Sequence, residues 1–464
     1  MGRFLSQFLV LLSLASVSCS LSRFALTECE VNAECRNAFG WGHVCVDALC
    51  APVNAFSRCS ETHPSDLLQR PDKYQDLYVI GIQFNQESWA PISNAAEFAL
   101  SELQGQTGLG ENHFGYVVCD TSASSRYDNL SEEEANTVVS EYLADNVGAV
   151  AIIGPATSDA AERTFKQVQR YGTLVMSPSA TGIPLTIMDG SESSYLDPGL
   201  FWRTCASDAL QSQKMVDLMH QDGISNAAVI YEKTNYGTPF AGQIKADAQE
   251  QYGITVTLFP YDSSSLNALD SQVMRVEGND DPDNFQATHD VDAVVFLSGN
   301  QEHIVHFLET VERRSTQDSS HTCPDGSICP FREDGAQLYL ADGAKDPKIF
   351  NDMENIVHRI KGTYPAEGEG LVYEAFSETF DAEYGNGSSD FVYVEHSYDA
   401  AWLIAYGAAW AYYNEAEISG LGIARGLRQV SKKGAGEVIN IGPGSWGTVR
   451  AKFAAQPTID VQGA

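Results

Sequence analysis

The chain has 464 residues, enough for two or three domains and a large core. A formal net charge of -34 excludes nucleic acid and anionic membrane surfaces as natural partners. Only 19% of residues are charged against 43% hydrophobic, which points to a folded globular protein rather than a disordered acidic one.

The chain opens on an export pattern. Arg3 supplies a thin positive region, Phe8 to Leu14 is apolar, and the run is too short to span a bilayer. Residues 1–18 therefore read as a signal peptide. Ser16-Val-Ser18 before Cys19 resembles the lipobox of bacterial lipoproteins, although Ser16 stands where Leu is usual. Lipidation at Cys19 is the expectation, with an ordinary secretory cut as the alternative.

Residues 19–60 form a Cys-rich module, and ten cysteines in an exported chain fit an oxidising compartment. Cys29, Cys35, Cys45 and Cys50 allow three connectivities, of which Cys29–Cys45 with Cys35–Cys50 is preferred. Zinc is the rival, but the spacings give no CxxC pair and His43 is the one nearby imidazole. Cys323 and Cys329 can close a turn on each other. Cys59, Cys119 and Cys205 remain, and the sequence does not say which two pair. Pro, Ser and Asp are frequent before Asp76, so 61–75 reads as a linker.

From Asp76 strands and helices alternate. Leu77 to Phe84 is a strand, Pro91 to Leu103 a helix with one apolar face, and Tyr116 to Cys119 a strand. Ser131-Glu-Glu-Glu134 opens the next helix as a capping box. Ala149 to Ile153 is a nearly all-apolar strand, as a parallel strand covered on both faces should be. Leu174 to Met176 is another. A second series follows Phe201-Trp-Arg-Thr204, with strands at Ala227–Tyr231, Ile254–Phe259, Val291–Phe296 and Gln337–Leu340. Helices Asp208–His220 and Gln301–Arg313 fall between these strands. Two such series imply two α/β lobes with parallel sheets. The 314–334 stretch reads as a polar surface insertion, and Ser397 to Tyr413 as a long core helix.

The most informative stretch is Met176-Ser-Pro-Ser-Ala-Thr181. Small hydroxyl residues after a parallel strand expose hydroxyls and N–H groups at the sheet's carboxyl edge, where open α/β folds bind small ligands. Ser158 opens the preceding helix similarly. No GxSxG, HExxH or P-loop is present, so a binding protein is read rather than an enzyme, with no cofactor and no metal. Gly278-Asn-Asp-Asp-Pro-Asp283 lacks EF-hand spacing and reads as an acidic turn.

Several motifs together carry a resemblance: Ile152-Ile-Gly-Pro155 followed by Ser158; Met176 to Thr181; Phe201 to Gln211; Tyr236-Gly237; and Ser397-Tyr-Asp-Ala400. The chain from about residue 76 resembles the type I periplasmic binding proteins, in particular the leucine and branched-chain amino-acid-binding proteins of ABC transporters. The resemblance implies a two-lobed α/β fold, each lobe a parallel sheet flanked by helices. Lobe one would be 76–202 with 364–440, and lobe two 203–363 with 441–464. Three hinge crossings would lie near Arg203, Thr363 and Ile441-Gly-Pro443. The ligand carboxylate would be held by Ser158 and Thr181, and its ammonium by the Ser179 carbonyl and Asp342. Tyr236 would close over it, and Trp89 would line the side-chain pocket from the loop after the first strand. Ser298-Gly299 stands where an aromatic is frequent, which widens the pocket and puts branched-chain specificity in doubt. The implied partners are a small amino-acid-like ligand and an ABC permease, in an extracytoplasmic, lipid-anchored setting. The alternative is a ligand-sensing lipoprotein that signals to a partner protein.

Overall fold

This computed structural model describes residues 28–463 except 75, 125, 191–193, 278–290, 317–328, 333–334, 367, 369, 431–437 and 456–457. The segment 1–18, Cys19, the acidic turn at 278–283 and Cys323 lie outside the described residues.

The N-terminal module is a helix, α1 (Asn32–Phe39), and a hairpin of β1 (His43–Val46) and β2 (Leu49–Pro52). Disulfides Cys29–Cys45 and Cys35–Cys50 staple it. The sulfurs of Cys29, Cys35 and Cys50 cluster, but each is spent in a bridge, which removes the thiolates a zinc ion needs. Cys59–Cys119 is a third bridge, and Cys205 is a buried free thiol. Cys329 is also disulfide-bonded.

Residues 61–75, expected as a linker, are built into the first lobe instead. β3 (Glu61–His63) pairs antiparallel with β5 (His113–Asp120), and Leu67 and Leu68 are buried. Just upstream, the buried Arg58 guanidinium donates to the Asp120 and Ser122 carbonyls at 3.2 and 2.9 Å and pairs with Asp128. A chain anchored by these apolar and ionic contacts cannot swing as a tether.

The first sheet has six strands in the order β3-β5-β4-β6-β7-β8, where β4 is Leu77–Phe84, β6 Ala151–Ile153, β7 Leu174–Ser177 and β8 Phe201–Arg203. All its pairs except β3–β5 are parallel. Alternate residues of the central strands enter different cores: Ile80, Ile82, Ala151 and Ile153 on one face, Val79 and Ile152 on the other. That two-sided burial is why these strands read as continuous apolar runs. Helices α2 (Gln86–Gln104), α3 (Glu132–Glu141) and α4 (Ser158–Val168) cross between them. The Ser131–Glu134 capping box forms, with Ser131 accepting the Glu134 N–H.

The second lobe starts with α5 (Asp208–Gln221). Its five-stranded parallel sheet runs β10-β9-β11-β12-β13, with β9 Asn226–Glu232, β10 Thr255–Tyr261, β11 Ala293–Leu297, β12 Gln337–Leu340 and β13 Ile360–Gly362. It too is covered on both faces: Ala228, Ile230, Val294 and Phe296 join one cluster, Ala227, Val229, Val295 and Leu297 the other. Helices α6 (Gly237–Tyr252), α7 (Leu266–Val276) and α8 (Gln301–Ser315) flank it. Part of the expected surface insertion proves to be core. Phe331 is fully buried, and Arg359 donates to the carbonyls of Pro330, Phe331 and Ala336.

After β13 the chain returns to lobe one as α9 (Leu371–Tyr384), α10 (Val394–Glu415) and α11 (Gly420–Val430). The tail corrects one expectation. Residues 441–464 were assigned to lobe two through a third crossing, yet Ile441, Trp446, Val449, Phe453 and Ile459 all lie in the lobe-one core. Helix α12 (Trp446–Ala455) sets the Trp446 ring 6.3 and 6.2 Å from Trp402 and Tyr406 of α10, and the indole N–H reaches the Thr107 carbonyl at 2.7 Å. β14 (Val438–Asn440) and β15 (Asp460–Gln462) pair parallel beside it. The aromatic stripe of α10 is the anchor, and burying Trp446 against it holds the tail on that side.

Candidate functional site

A cleft of about 460 Å³ lies between the carboxyl edges of the two sheets. Ser158, Ser179, Thr181, Tyr236, Asp342 and Trp89 all line it. Loops after parallel strands thus converge on one hollow.

On the lobe-one side, Gly154 turns the chain after β6 at φ 102°. A Cβ there would strike the Gln83 carbonyl oxygen, so only glycine lets the strand end feed the start of α4. The N-cap of α4 is Thr157, whose side chain makes no capping bond, and Ser158 is the first helical residue. Thr157, Ser158, Asp159 and Ala160 all border the cleft. The first-turn N–H groups and the positive end of the helix therefore face it, a natural seat for a carboxylate. The Ser158 oxygen accepts the Gly182 N–H at 3.1 Å, which leaves its proton to donate. The Ser177 hydroxyl donates to the Pro155 carbonyl at 2.6 Å and accepts the Ala180 N–H at 3.0 Å. The Ser179 hydroxyl donates to the Ala156 carbonyl at 3.0 Å. These bonds fix the loop that carries Thr181.

Trp89 sits within α2, not in a loop before it, at a kink where its own φ and ψ are -127° and 23°. Pro91 two residues on removes a helical N–H, which accounts for the break. The indole is 7% exposed and meets Phe391 edge-on at 6.1 Å.

Asp342 is 5% exposed. Tyr236 donates its hydroxyl to Oδ1 at 2.9 Å and Tyr393 to Oδ2 at 2.6 Å. Tyr393 belongs to the lobe-one core, so its bond joins the two lobes across the cleft. Burial raises the Asp342 carboxyl above its usual range, and the two phenols offset part of that rise. The same burial, with the carboxylate beside them, pushes both phenols well above theirs.

Four residues of this site escaped the sequence reading. Tyr393 precedes α10 in the left-handed region at φ 69°, which no local pattern announces. Asp208 starts α5 with no solvent exposure, and desolvation and the nearby Asp342 raise its carboxyl well above normal. Glu232 ends β9, and Asp159 follows Ser158. The last two had a legible signal, an acid at the carboxyl end of a parallel strand and an acid in a helix's first turn.

The lobes also touch at the rim. The Asn235 N–H donates to Asp159 at 3.2 Å and its side-chain amide to Glu162.

With this geometry in view, the comparisons identify the family. The model described as "Receptor family ligand binding region" matches residues 92–441, most of the chain, and the chain belongs to that family. Its two-lobed architecture is the type I periplasmic binding fold. The leucine-binding protein LivK of Thermotoga maritima superposes with a TM-score of 0.58 at 15% identity, covering 76% of this chain and 88% of that one. LivJ of Streptococcus pneumoniae, a branched-chain amino acid transporter substrate-binding protein in complex with isoleucine, gives 0.56 at 15% identity, with 77% and 90% covered. A solute-binding protein of an ABC transporter from R. palustris, in complex with benzoate, gives 0.57 at 16%, with 77% and 86% covered. These neighbours are binding proteins rather than enzymes, and at such identity they establish the fold alone. No curated protein matches the chain. Among the described residues no helix is long and apolar enough to cross a membrane.

Proposed function

We propose that this chain is an extracytoplasmic solute-binding protein that captures an amino acid or related small zwitterion between closing lobes and hands it to an ABC permease. One observation carries the reading. The uncapped start of α4 with Ser158 and Thr181 faces Asp342 of the other lobe across a single cleft. A carboxylate accepts from the first set, and an ammonium donates to the second. Each charge-assisted bond of this kind contributes about 1.5–3 kcal/mol. Ser158, Ser179, Thr181, Tyr236, Asp342 and Trp89 are the proposed contacts. Tyr393 already spans the lobes, consistent with a closing motion. A sensing role is the second reading, favoured by the disulfide module docked beside the lobe, where Asn32 donates to Asp145 at 2.8 Å.

A thermal-shift screen with amino acids and small organic anions tests the proposal, because a ligand that binds only the folded state raises the melting temperature. Thr181→Val should weaken carboxylate ligands by about tenfold or more. An equal loss for ligands lacking a carboxylate would assign Thr181 a structural role and remove it from the site.

A further inference from the structure

The acids that line the cleft outnumber its cations: Glu132, Glu133, Asp159, Glu232 and Asp342 stand against Arg163 and Lys233. Glu232 ends β9 and is 4% exposed. Its Oε1 accepts the Gly299 N–H at 2.7 Å and its Oε2 the Ser298 hydroxyl at 2.9 Å. These neutral donors hold the carboxylate in place without cancelling its charge. Across the cleft, Asp159 of α4 accepts the Asn235 N–H at 3.2 Å on each oxygen. Arg163, whose charge Asp159 feels, is ion-paired with Glu133 at 3.2 Å. Burial raises both carboxyls above their usual range, and Asp159 is one of the charges that raise Glu232.

Register fixes how far the strand that carries Glu232 lies from the one that leads to Asp342. Phe296 of β11 is level with both Ile230 of β9 and Leu340 of β12. Glu232, Ser298 and Asp342 each come two residues later, at the carboxyl ends of three adjacent strands. With β11 between the acid-bearing strands, the ends of those strands lie two spacings apart, roughly 10 Å. A second observation concerns Asp208. It is fully buried, with the Thr181 side chain as its polar partner and Arg203 and Asp342 nearby. The site thus has two neighbouring acids, Asp208 and Asp342, at one end and the Asp159–Glu232 pair at the other.

We propose that the ligand carries two cationic groups, one held at Asp342 and one between Asp159 and Glu232, the chemistry of a basic amino acid rather than an aliphatic one. This assignment rests on the zwitterion reading above. The side chain of lysine or arginine reaches from one acid to the other, past Ser298 and Gly299, where a bulky residue would obstruct it.

Isothermal titration of the full chain with L-lysine, L-arginine and L-leucine tests the assignment. At least one basic amino acid should bind about tenfold tighter than leucine or better, and that advantage should collapse in Glu232→Gln and in Asp159→Asn. Asp159 borders the rim, so Asp159→Asn carries the test if Glu232→Gln fails to fold. Leucine binding as tightly as the basic amino acids overturns the two-cation assignment and leaves the zwitterion reading standing. So does an advantage that survives both substitutions. Failure of every amino acid to bind overturns both.

Discussion

Asp208 is wholly buried, with the Thr181 side chain as its polar partner and Arg203 nearby. An ionised acid in that setting costs free energy, and proximity to Asp342 adds to the cost. Asp208→Asn keeps the shape and removes the charge. Its melting temperature at pH 8 should exceed that of the unaltered protein by roughly 1–3 °C, and the gap should shrink as the pH is lowered. A variant less stable at pH 8 would mean that the ionised carboxylate is used rather than tolerated. Asp342 is a different case, because two phenol hydroxyls already serve it.

At the scale of elements, the staples decide how the N-terminal segment sits. Cys59–Cys119 closes a span of 60 residues and ties the start of the first lobe to β5. By the loop-entropy argument its loss costs roughly 4 kcal/mol. Cys59→Ala combined with Cys119→Ala should therefore lower the urea midpoint markedly, while coincident unfolding curves would show that Arg58 and Leu67 alone hold the segment. Helix starts matter in the same way. The start of α3 is capped by Ser131, whereas α4 lacks a side-chain cap and turns its free N–H groups to the cleft. Two neighbouring helices thus differ in their first turn.

For the whole molecule, closure and charge are the levers. The Tyr393 hydroxyl of lobe one holds Asp342 of lobe two. Tyr393→Phe removes a bond worth about 1.5–3 kcal/mol, enough to shift an open–closed equilibrium tenfold or more. The ligand-free variant should show a larger radius of gyration in solution scattering, and an unchanged profile would mean that this bond does not govern closure. Acid stability follows from the buried carboxyls. Glu97, Glu102, Glu132, Asp159, Asp208, Glu232 and Asp342 all have folded pKa values raised chiefly by burial. Each binds its proton more readily when folded, so its contribution is full below the ordinary carboxylate range and is lost as pH rises through the folded value. The net charge of -34 acts in the same direction through self-repulsion. The melting temperature should therefore climb as the pH falls from 8 toward about 5. A steady decline over that window would contradict the directions given for these groups.

The sequence already carries the alternation of strands and helices, the two sheets and the loops that meet at the cleft. Covered parallel strands such as Leu77–Phe84 and Ala293–Leu297 have to be apolar nearly throughout. It misjudged the 61–75 segment and the tail after Ile441, because local composition cannot register an edge strand pairing with β5 or a tryptophan fitting against α10. That Tyr393 reaches Asp342 over 51 residues, that Asp159 and Glu232 border one cleft, and that the Asp208 N–H meets the Thr181 carbonyl at 3.0 Å emerges only in the folded chain. Contacts between distant segments are fixed by how the lobes pack, and packing depends on the whole chain at once.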